Sequence, residues 1–163
     1  MKKFFFVLIS ILTINGCGVY SFTGVSTTAE SFQVNNFQYT APLYEPGLDR
    51  AFTVALQDLI QNQTNLTLTS SNADLLYEGE IVEYNIAPMS ATAQNTAAQN
   101  RLTIGVNLRF YDNRNSENDF EKRYSFFFDF PAATQVTQVR DEAFQVIFER
   151  ITQDIFNDTL AKW

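Results

Sequence analysis

The chain has 163 residues, 45% of them hydrophobic, with sixteen phenylalanines, one cysteine, no histidine and a formal charge of −7. That length builds a single core, while the missing histidine excludes Ser-His-Asp and Cys-His nucleophile systems and every His-containing metal site. A lone cysteine excludes an internal disulfide and multi-cysteine zinc or iron–sulfur sites, and the acidic balance argues against a nucleic-acid binder, which would present a basic face.

Met1-Lys2-Lys3 is a positive start, followed by an apolar run from Phe4 to Ile14 broken only by Ser10 and Thr13. As a helix these eleven residues reach roughly 16 Å, about half of a bilayer core. They have the proportions of a secretory h-region rather than of a span. Ile14-Asn15-Gly16-Cys17 then looks like a lipobox, in which the chain is cut before the cysteine and the cysteine is acylated. Gly16-Cys17 fits that pattern, whereas Ile14 and Asn15 depart from its commonest form. The plainer alternatives for Cys17 are a free thiol beside a cut signal or part of an uncleaved anchor. Lipidation is the expectation, because the sole cysteine stands where the lipid chemistry needs it. Several acyl chains, at about 0.8 kcal/mol per buried CH₂, hold a domain stably on a membrane. Gly18, in place of an aspartate after the cysteine, points to the outer membrane. The expected organisation is a signal peptide at 1–16, an acylated N-terminus and tether at 17–29, and one α+β domain at 30–163.

Ser31–Tyr39 carries β-formers and reads as a strand. Ala41-Pro42 and Glu45-Pro46-Gly47 are turn punctuation. Leu48–Gln61 places Leu48, Phe52, Ala55, Leu56 and Leu59 at helical spacing, an amphipathic helix. Asn62–Asn72 is polar and threonine-rich, with a short strand suggested at Leu66-Thr67-Leu68. Asp74–Ile86 is a strand with Leu75, Tyr77, Gly79 and Ile81 on one face, ended by Pro88. Ala87–Asn100 is an uncharged loop of Ala, Thr, Gln and Asn, long enough to be mobile or functional.

Arg101–Tyr111 alternates cleanly, with Leu102, Ile104, Val106, Leu108 and Phe110 on one side. Asp112–Asp119 is a turn, and Phe120–Phe130 returns as a strand stopped by Pro131. Pairing residues whose numbers sum to 230 aligns both apolar faces, whereas a one-residue slip buries the polar set. In this register Phe126, Phe128 and Phe130 are core, Phe127 faces outward opposite Thr103, and Arg101 and Arg109 face Asp129 and Glu121. Val136–Leu160 is a long helix with Phe144, Ile147, Phe148, Ile151 and Ile155 in its stripe. The predicted fold is α+β: a two-layer sandwich of about four mostly antiparallel strands packed against two helices, in the order β-α-β-β-β-α.

Four stretches carry a resemblance: Cys17-Gly18-Val19-Tyr20-Ser21-Phe22-Thr23-Gly24, Asn100-Arg101-Leu102-Thr103-Ile104, Phe128-Asp129-Phe130, and Asp154-Ile155-Phe156-Asn157 followed by Trp163. With the β-α-β-β-β-α order, they make the chain similar to the LptE-type lipopolysaccharide-assembly outer-membrane lipoproteins in their Bacteroidetes-like form. None of these motifs is catalytic. The resemblance implies a non-enzymatic lipoprotein on the periplasmic side of the outer membrane, lodged in a β-barrel translocon. There it helps the barrel assemble, plugs it and contacts lipopolysaccharide on its way to the cell surface. The implied partners are the barrel, lipopolysaccharide and, through the acyl chains, the membrane; no cofactor, metal or nucleic acid is implied. Family members are described as binding lipopolysaccharide through basic residues, but no motif maps those positions here, so no ligand residue is carried over.

A domain meeting lipid phosphates should present a local basic site. Five of the nine basic residues after Cys17 lie between 101 and 123. Cross-strand pairing with carboxylates accounts for Arg101 and Arg109 as ordinary sheet stabilisers. That leaves Arg114 in the turn, Lys122 snorkelling past the sheet edge, Arg123 opposite Asn107 without a charged partner, and the outward Phe127 as candidate anion or lipid contacts. Carboxylates and amides in the 112–119 turn lack the fixed glycine and final glutamate of an EF-hand. The competing reading is a free-standing envelope lipoprotein that binds a lipid or peptidoglycan ligand or scaffolds another envelope complex. A hydrolase is a third, with no acid–base pair singled out by spacing.

Overall fold

In the computed structural model, residues 28–89 and 98–161 are described; Cys17, the signal segment, nearly all of the tether, the centre of the 87–100 loop and Trp163 lie outside them. The chain runs β1 (Ser31–Val34), β2 (Gln38–Tyr39), α1 (Leu48–Gln63), β3 (Thr67–Leu68), β4 (Leu75–Met89), β5 (Gln99–Asp112), a 3₁₀ turn at Ser116–Asn118, β6 (Phe120–Pro131) and α2 (Val136–Thr159). The strands form one sheet in the order β3-β1-β4-β5-β6, with β2 beside β4. Both helices supply buried residues to one core shared with the sheet.

The α+β class and the order of the major elements agree with the sequence reading. The sheet differs in having six strands and mixed polarity. β1 runs parallel to β3 and β4, and β2 parallel to β4. Only β4-β5-β6 is the expected antiparallel meander.

The surplus strand arises because Ser31–Tyr39 is interrupted. Val34 faces Tyr77 and Gln38 faces Glu80, so residues 35–37 span what 78–79 span on β4. That extra residue switches the inward positions from Phe32 and Val34 to Phe37 and Tyr39. Phe32 and Phe37 are both fully buried. At the interruption the Phe37 N–H donates to Thr53 Oγ1 on α1, 3.2 Å away, and the Phe37 ring meets Phe52 edge-on at 5.0 Å. A helix hydroxyl thus satisfies a buried backbone donor that the break would otherwise strand.

β4 repeats the device. Ile81 faces Val106 but Glu83 faces Gly105, leaving Val82 as a bulge. Before it Leu75, Tyr77 and Ile81 point inward; after it Tyr84 is buried and Ile86 packs on the core. Pairing then continues through Ala87, Pro88 and Met89 to Arg101, Asn100 and Gln99. Pro88 therefore does not end the strand. Beyond Ile81 no described strand flanks β4 on its other side, and a proline, lacking an N–H, is tolerated along such an edge.

β5 and β6 pair as expected, every facing pair summing to 230 from Gln99 with Pro131 to Phe110 with Phe120. Phe130 is buried, while Phe126 and Phe128 pack on the core partly covered. On α1 the stripe is Leu48, Phe52, Leu56 and Ile60 plus Thr53, with Ala55 and Leu59 at its margin. Thr53 is accommodated because its hydroxyl also donates to Asp49 O at 2.8 Å. On α2, Ile147, Phe148, Ile151 and Ile155 are joined by Ala143, Thr152 and Phe156, and Phe144 lies partly covered. Gly47, at φ 80°, starts α1 in a conformation other residues rarely adopt.

Two outcomes follow from this packing. A Cβ built on Gly79 would run into the Asn107 carbonyl oxygen and press on the Phe37 ring. Gly79→Ala should cost about 1–3 kcal/mol as overpacking, read as a lower urea midpoint at unchanged slope. Burial, first of all, raises the hydroxyls of Tyr77, Tyr84 and Tyr124 above the ordinary tyrosine value of 10.0. A raised folded value gives stability that is complete below the unfolded value and is lost as pH climbs towards the folded one. In a 295 nm titration these three of the seven tyrosines should ionise only as the chain unfolds, with stability falling above pH 10. Their ionisation with no loss of fold would contradict that burial.

Candidate functional site on the open sheet face

The helices cover one face of the sheet, and the opposite face carries the alternate residues of each strand. On β5 these are Arg101, Thr103, Asn107 and Arg109; on β6, Glu121, Arg123, Ser125, Phe127 and Asp129. Strand alternation places them together, so one hydrophobic pattern that buries Leu102 to Phe110 also assembles this polar surface.

Its three arginines are each matched at close range, while its five carboxylates, Glu78, Glu80, Glu83, Glu121 and Asp129, leave the face acidic in sum. Arg101 grips Asp129 through two bonds, Nε–Oδ1 at 2.7 Å and Nη2–Oδ2 at 2.8 Å. This is the expected cross-strand pair. Arg109 is opposite Glu121 in register, yet it bonds Glu78 at 3.3 Å and Glu80 at 3.1 Å. The cause is on the other side: β4 sets Glu78 directly across from Arg109, with Glu80 one step along the same face. Arg123 does have a charged partner, contrary to the sequence reading: its Nη2 lies 2.6 Å from Glu83 Oε2. The two reach each other across β5 over Gly105, where an added Cβ would come within 2.9 Å of the Glu83 Cβ and 3.3 Å of Arg123 Nη2. The bulge at Val82 turns Glu83 to this face, and the glycine leaves the passage open.

The four candidate contacts are not gathered into one site. Arg123 and Phe127 are on the open face. Lys122 faces the helices and its Nζ bonds Asp158 Oδ2 on α2 at 2.6 Å; Tyr124 donates to the same oxygen at 2.7 Å. Lys122 is thereby tied to a helix rather than left to run past the sheet edge. Arg114 sits in the turn, where its N–H donates to Asp112 Oδ1 at 3.0 Å. The turn's carboxylates serve its own backbone: Asp112 also accepts the Asn115 N–H, and Asp119 accepts the Asp112 N–H. Asp74, which accepts the Glu30 N–H at 2.7 Å, is held below its usual value first by that bond, with the Arg114 charge adding to it.

What the structure does bring together is a stack at the free edge of β6. The Arg101 guanidinium carbon lies 3.5 Å from the centre of the Phe127 ring. Phe127 and Phe126 stack at 5.3 Å, and the Arg150 guanidinium of α2 lies 5.7 Å from Phe126. Phe127 is 39% exposed. The sequence held the signal for its inner half, since the register that sets Arg101 opposite Asp129 makes Phe127 a diagonal neighbour on the same face. The arm from α2 has no such signal. Cation, ring, ring and cation present an apolar strip flanked by two positive groups, each also held by a carboxylate, Asp129 and Asp154. Among the described residues no cluster of acidic or cysteine side chains could hold a metal ion. Nor is any described helix long and apolar enough to cross a membrane.

Comparison with known proteins places these features in context. Residues 29–159 match the model of the family LptE, described as lipopolysaccharide-assembly. No curated protein sequence matches the chain. Among solved structures, hypothetical protein CT253 from Chlamydia trachomatis aligns with TM-score 0.51 at 12% identity, over 81% of this chain and 98% of its own. PelC from Paraburkholderia phytofirmans, solved as a dodecamer, aligns with TM-score 0.50 at 8% identity, over 82% and 89%. Rare lipoprotein B from Shewanella oneidensis aligns with TM-score 0.46 at 12% identity, over 77% and 89%. At these identities the likeness to CT253 and PelC is one of fold.

The Arg101–Asp129 bonds hold the Asp129 carboxyl below its usual 3.8. A depressed folded value gives stability that is present above the unfolded value and is lost as pH falls through the folded one. The Asp129 side-chain carbon signal should therefore titrate below pH 3.8, and in Arg101→Gln it should move back towards the ordinary midpoint. Equal midpoints in the two proteins would dismiss the pair as an energetic unit.

Proposed function

The chain belongs to the LptE lipopolysaccharide-assembly family, and we propose that it is a non-enzymatic outer-membrane lipoprotein that plugs a β-barrel lipopolysaccharide translocon and assists its assembly. In this reading residues 1–16 direct export and are removed, Cys17 carries the acyl chains, and 17–29 tether the domain on the periplasmic side. Ten residues lie between Cys17 and Thr28, the first described residue, so the eleven steps of the tether reach at most about 40 Å at 3.3–3.6 Å per residue. Confinement within that radius raises the effective concentration of the domain beside a barrel in the same membrane.

The observation that carries the proposal is the open face on which every arginine is already paired. A plug must bring a broad polar surface against the wall of a lumen, and an unpaired charge moved out of bulk water is costly there. Arg101, Arg109 and Arg123 each enter with carboxylates already bound, and the neighbouring Thr103, Asn107 and Ser125 both donate and accept hydrogen bonds. Lipopolysaccharide, which pairs acyl chains with phosphates, would meet Phe127 and Arg101 at the β6 edge, with Arg123 on the same face. Lys122 and Arg114 lie nearer the β5–β6 turn and would serve headgroup contact there.

In-cell photocrosslinking from a benzoylphenylalanine at Phe127 and at Arg123 should give adducts with an outer-membrane barrel and with lipopolysaccharide. The protein should also stay with that barrel through extraction in mild detergent. Cys17→Ser should abolish acylation and reduce the barrel adduct severalfold. A chain that extracts alone and crosslinks to no barrel would instead be a free-standing envelope lipoprotein.

A further inference from the structure

Where β3 ends, the edge of the sheet opens. β3 covers β1 only at Ser31 and Phe32, and the chain then leaves through Thr69 and Ser70. Beyond that point β1 borders a cleft of about 520 Å³ that reaches to α1, within the roughly 300–1,000 Å³ typical of small-ligand sites. This notch lies at the opposite edge of the sheet from the Arg101–Phe127 stack.

Its wall is chemically uniform. Amides come from Gln33, Asn35, Asn36 and Gln57, and hydroxyls from Thr69 and Ser70, with no charged side chain among the described residues of the lining. A phosphate or carboxylate would find no cation in this wall, and an organic cation no anion. An apolar ligand would strip water from six polar side chains without replacing their bonds. Amides and hydroxyls each offer donors and acceptors, which matches a ligand whose own groups do both, a neutral polyol. Val34, itself buried in the core, and Leu68 complete the lining, and the partly exposed Leu68 supplies an aliphatic surface for the C–H face of a sugar ring.

The wall also has unused bonding capacity. Gln57 Nε2 reaches Val34 O at only 3.4 Å, a long bond that a better acceptor would displace. Against this, Gln33 Nε2 is already bonded to Asn35 Oδ1 at 2.6 Å, and Thr69 Oγ1, which has no partner among the described residues, is buried behind the wall. Glu78 accepts from Asn35 Nδ2 at 3.1 Å and is also engaged by Arg109, so it sets the orientation of the Asn35 amide.

We propose that this notch is a binding site for an uncharged saccharide unit. The inference stands apart from barrel plugging, since the notch and the open-face stack occupy different edges. The sugar could belong to lipopolysaccharide or to the peptidoglycan strand, and the test separates the two.

The full lipidated chain, held in a detergent without a sugar headgroup, is titrated while the side-chain amide signals of Gln57 and Asn36 are followed by NMR. The probes are dephosphorylated core oligosaccharide released from the lipopolysaccharide of the producing cell, N,N′-diacetylchitobiose as the neutral peptidoglycan-like sugar, and inorganic phosphate. Saturable shifts at these amides with one of the two sugars, and none with phosphate, are expected. Whichever sugar binds names the source. Gln57→Ala should weaken binding about tenfold or more, the size of one lost hydrogen bond to a polar ligand. Ser70→Phe, on an exposed position of the rim, should abolish it while the backbone spectrum stays folded. Absence of saturable shifts with both sugars, an equal response to phosphate, or shifts centred on Phe127 would overturn the proposal. The outcome is independent of whether the chain co-purifies with a barrel.

Discussion

Strand side chains alternate without exception, and a protein that needs a different face from a strand must insert a residue. Here that constraint is met twice on neighbouring strands. The extra residue at 35–37 moves Phe37 inward after Phe32 and Val34, and Val82 does the same for Tyr84 after Ile81. β5 keeps one parity throughout, so it provides the fixed reference against which its neighbours shift. Were Val82 paired with Gly105 in an unbroken ladder, Glu83 and Asn85 would point at the helices. The bulge that protects the core is also what delivers Glu83 to Arg123, so core packing and the surface ion pairs are consequences of one backbone irregularity.

Much of this was legible in the residues. The β5–β6 register followed from two apolar faces that align in only one way, and both helices from their stripes. The interruption of the first strand was also written there: Phe32 and Val34 share one parity, Phe37 and Tyr39 the other, and no uninterrupted strand can bury both sets. What pattern alone does not show is that Thr53 satisfies the freed N–H, because that depends on how α1 sits. The same holds for charges. Arg101–Asp129 is visible from register, but Arg123–Glu83 spans a third strand and Lys122–Asp158 joins sheet to helix. Nearest-neighbour reasoning in sequence finds partners across one ladder and misses those across two.

Membership of the lipopolysaccharide-assembly family raises a question for a chain with a formal charge of −7: how an acidic domain would meet an anionic lipid, as the proposed function requires. Net charge is a poor guide at contact distance, because the field a ligand meets is dominated by groups within a Debye length, about 8–10 Å at ordinary salt. At the β6 edge those groups include two guanidiniums against aromatic rings. At the notch they are amides and hydroxyls. The two edges of the sheet therefore present different chemistries that the overall composition averages away.

The glycine at 105 has a consequence that reaches beyond local packing. By letting Arg123 and Glu83 close across it, it completes a surface on which each of the three arginines already has its counter-charge in place. Arginines held in this way recruit few mobile anions, and a partner that covers them has few to expel. Association through this face should therefore gain little from an entropy of ion release and depend only weakly on salt. Fit and hydrogen bonding, rather than attraction from a distance, would then choose its partner.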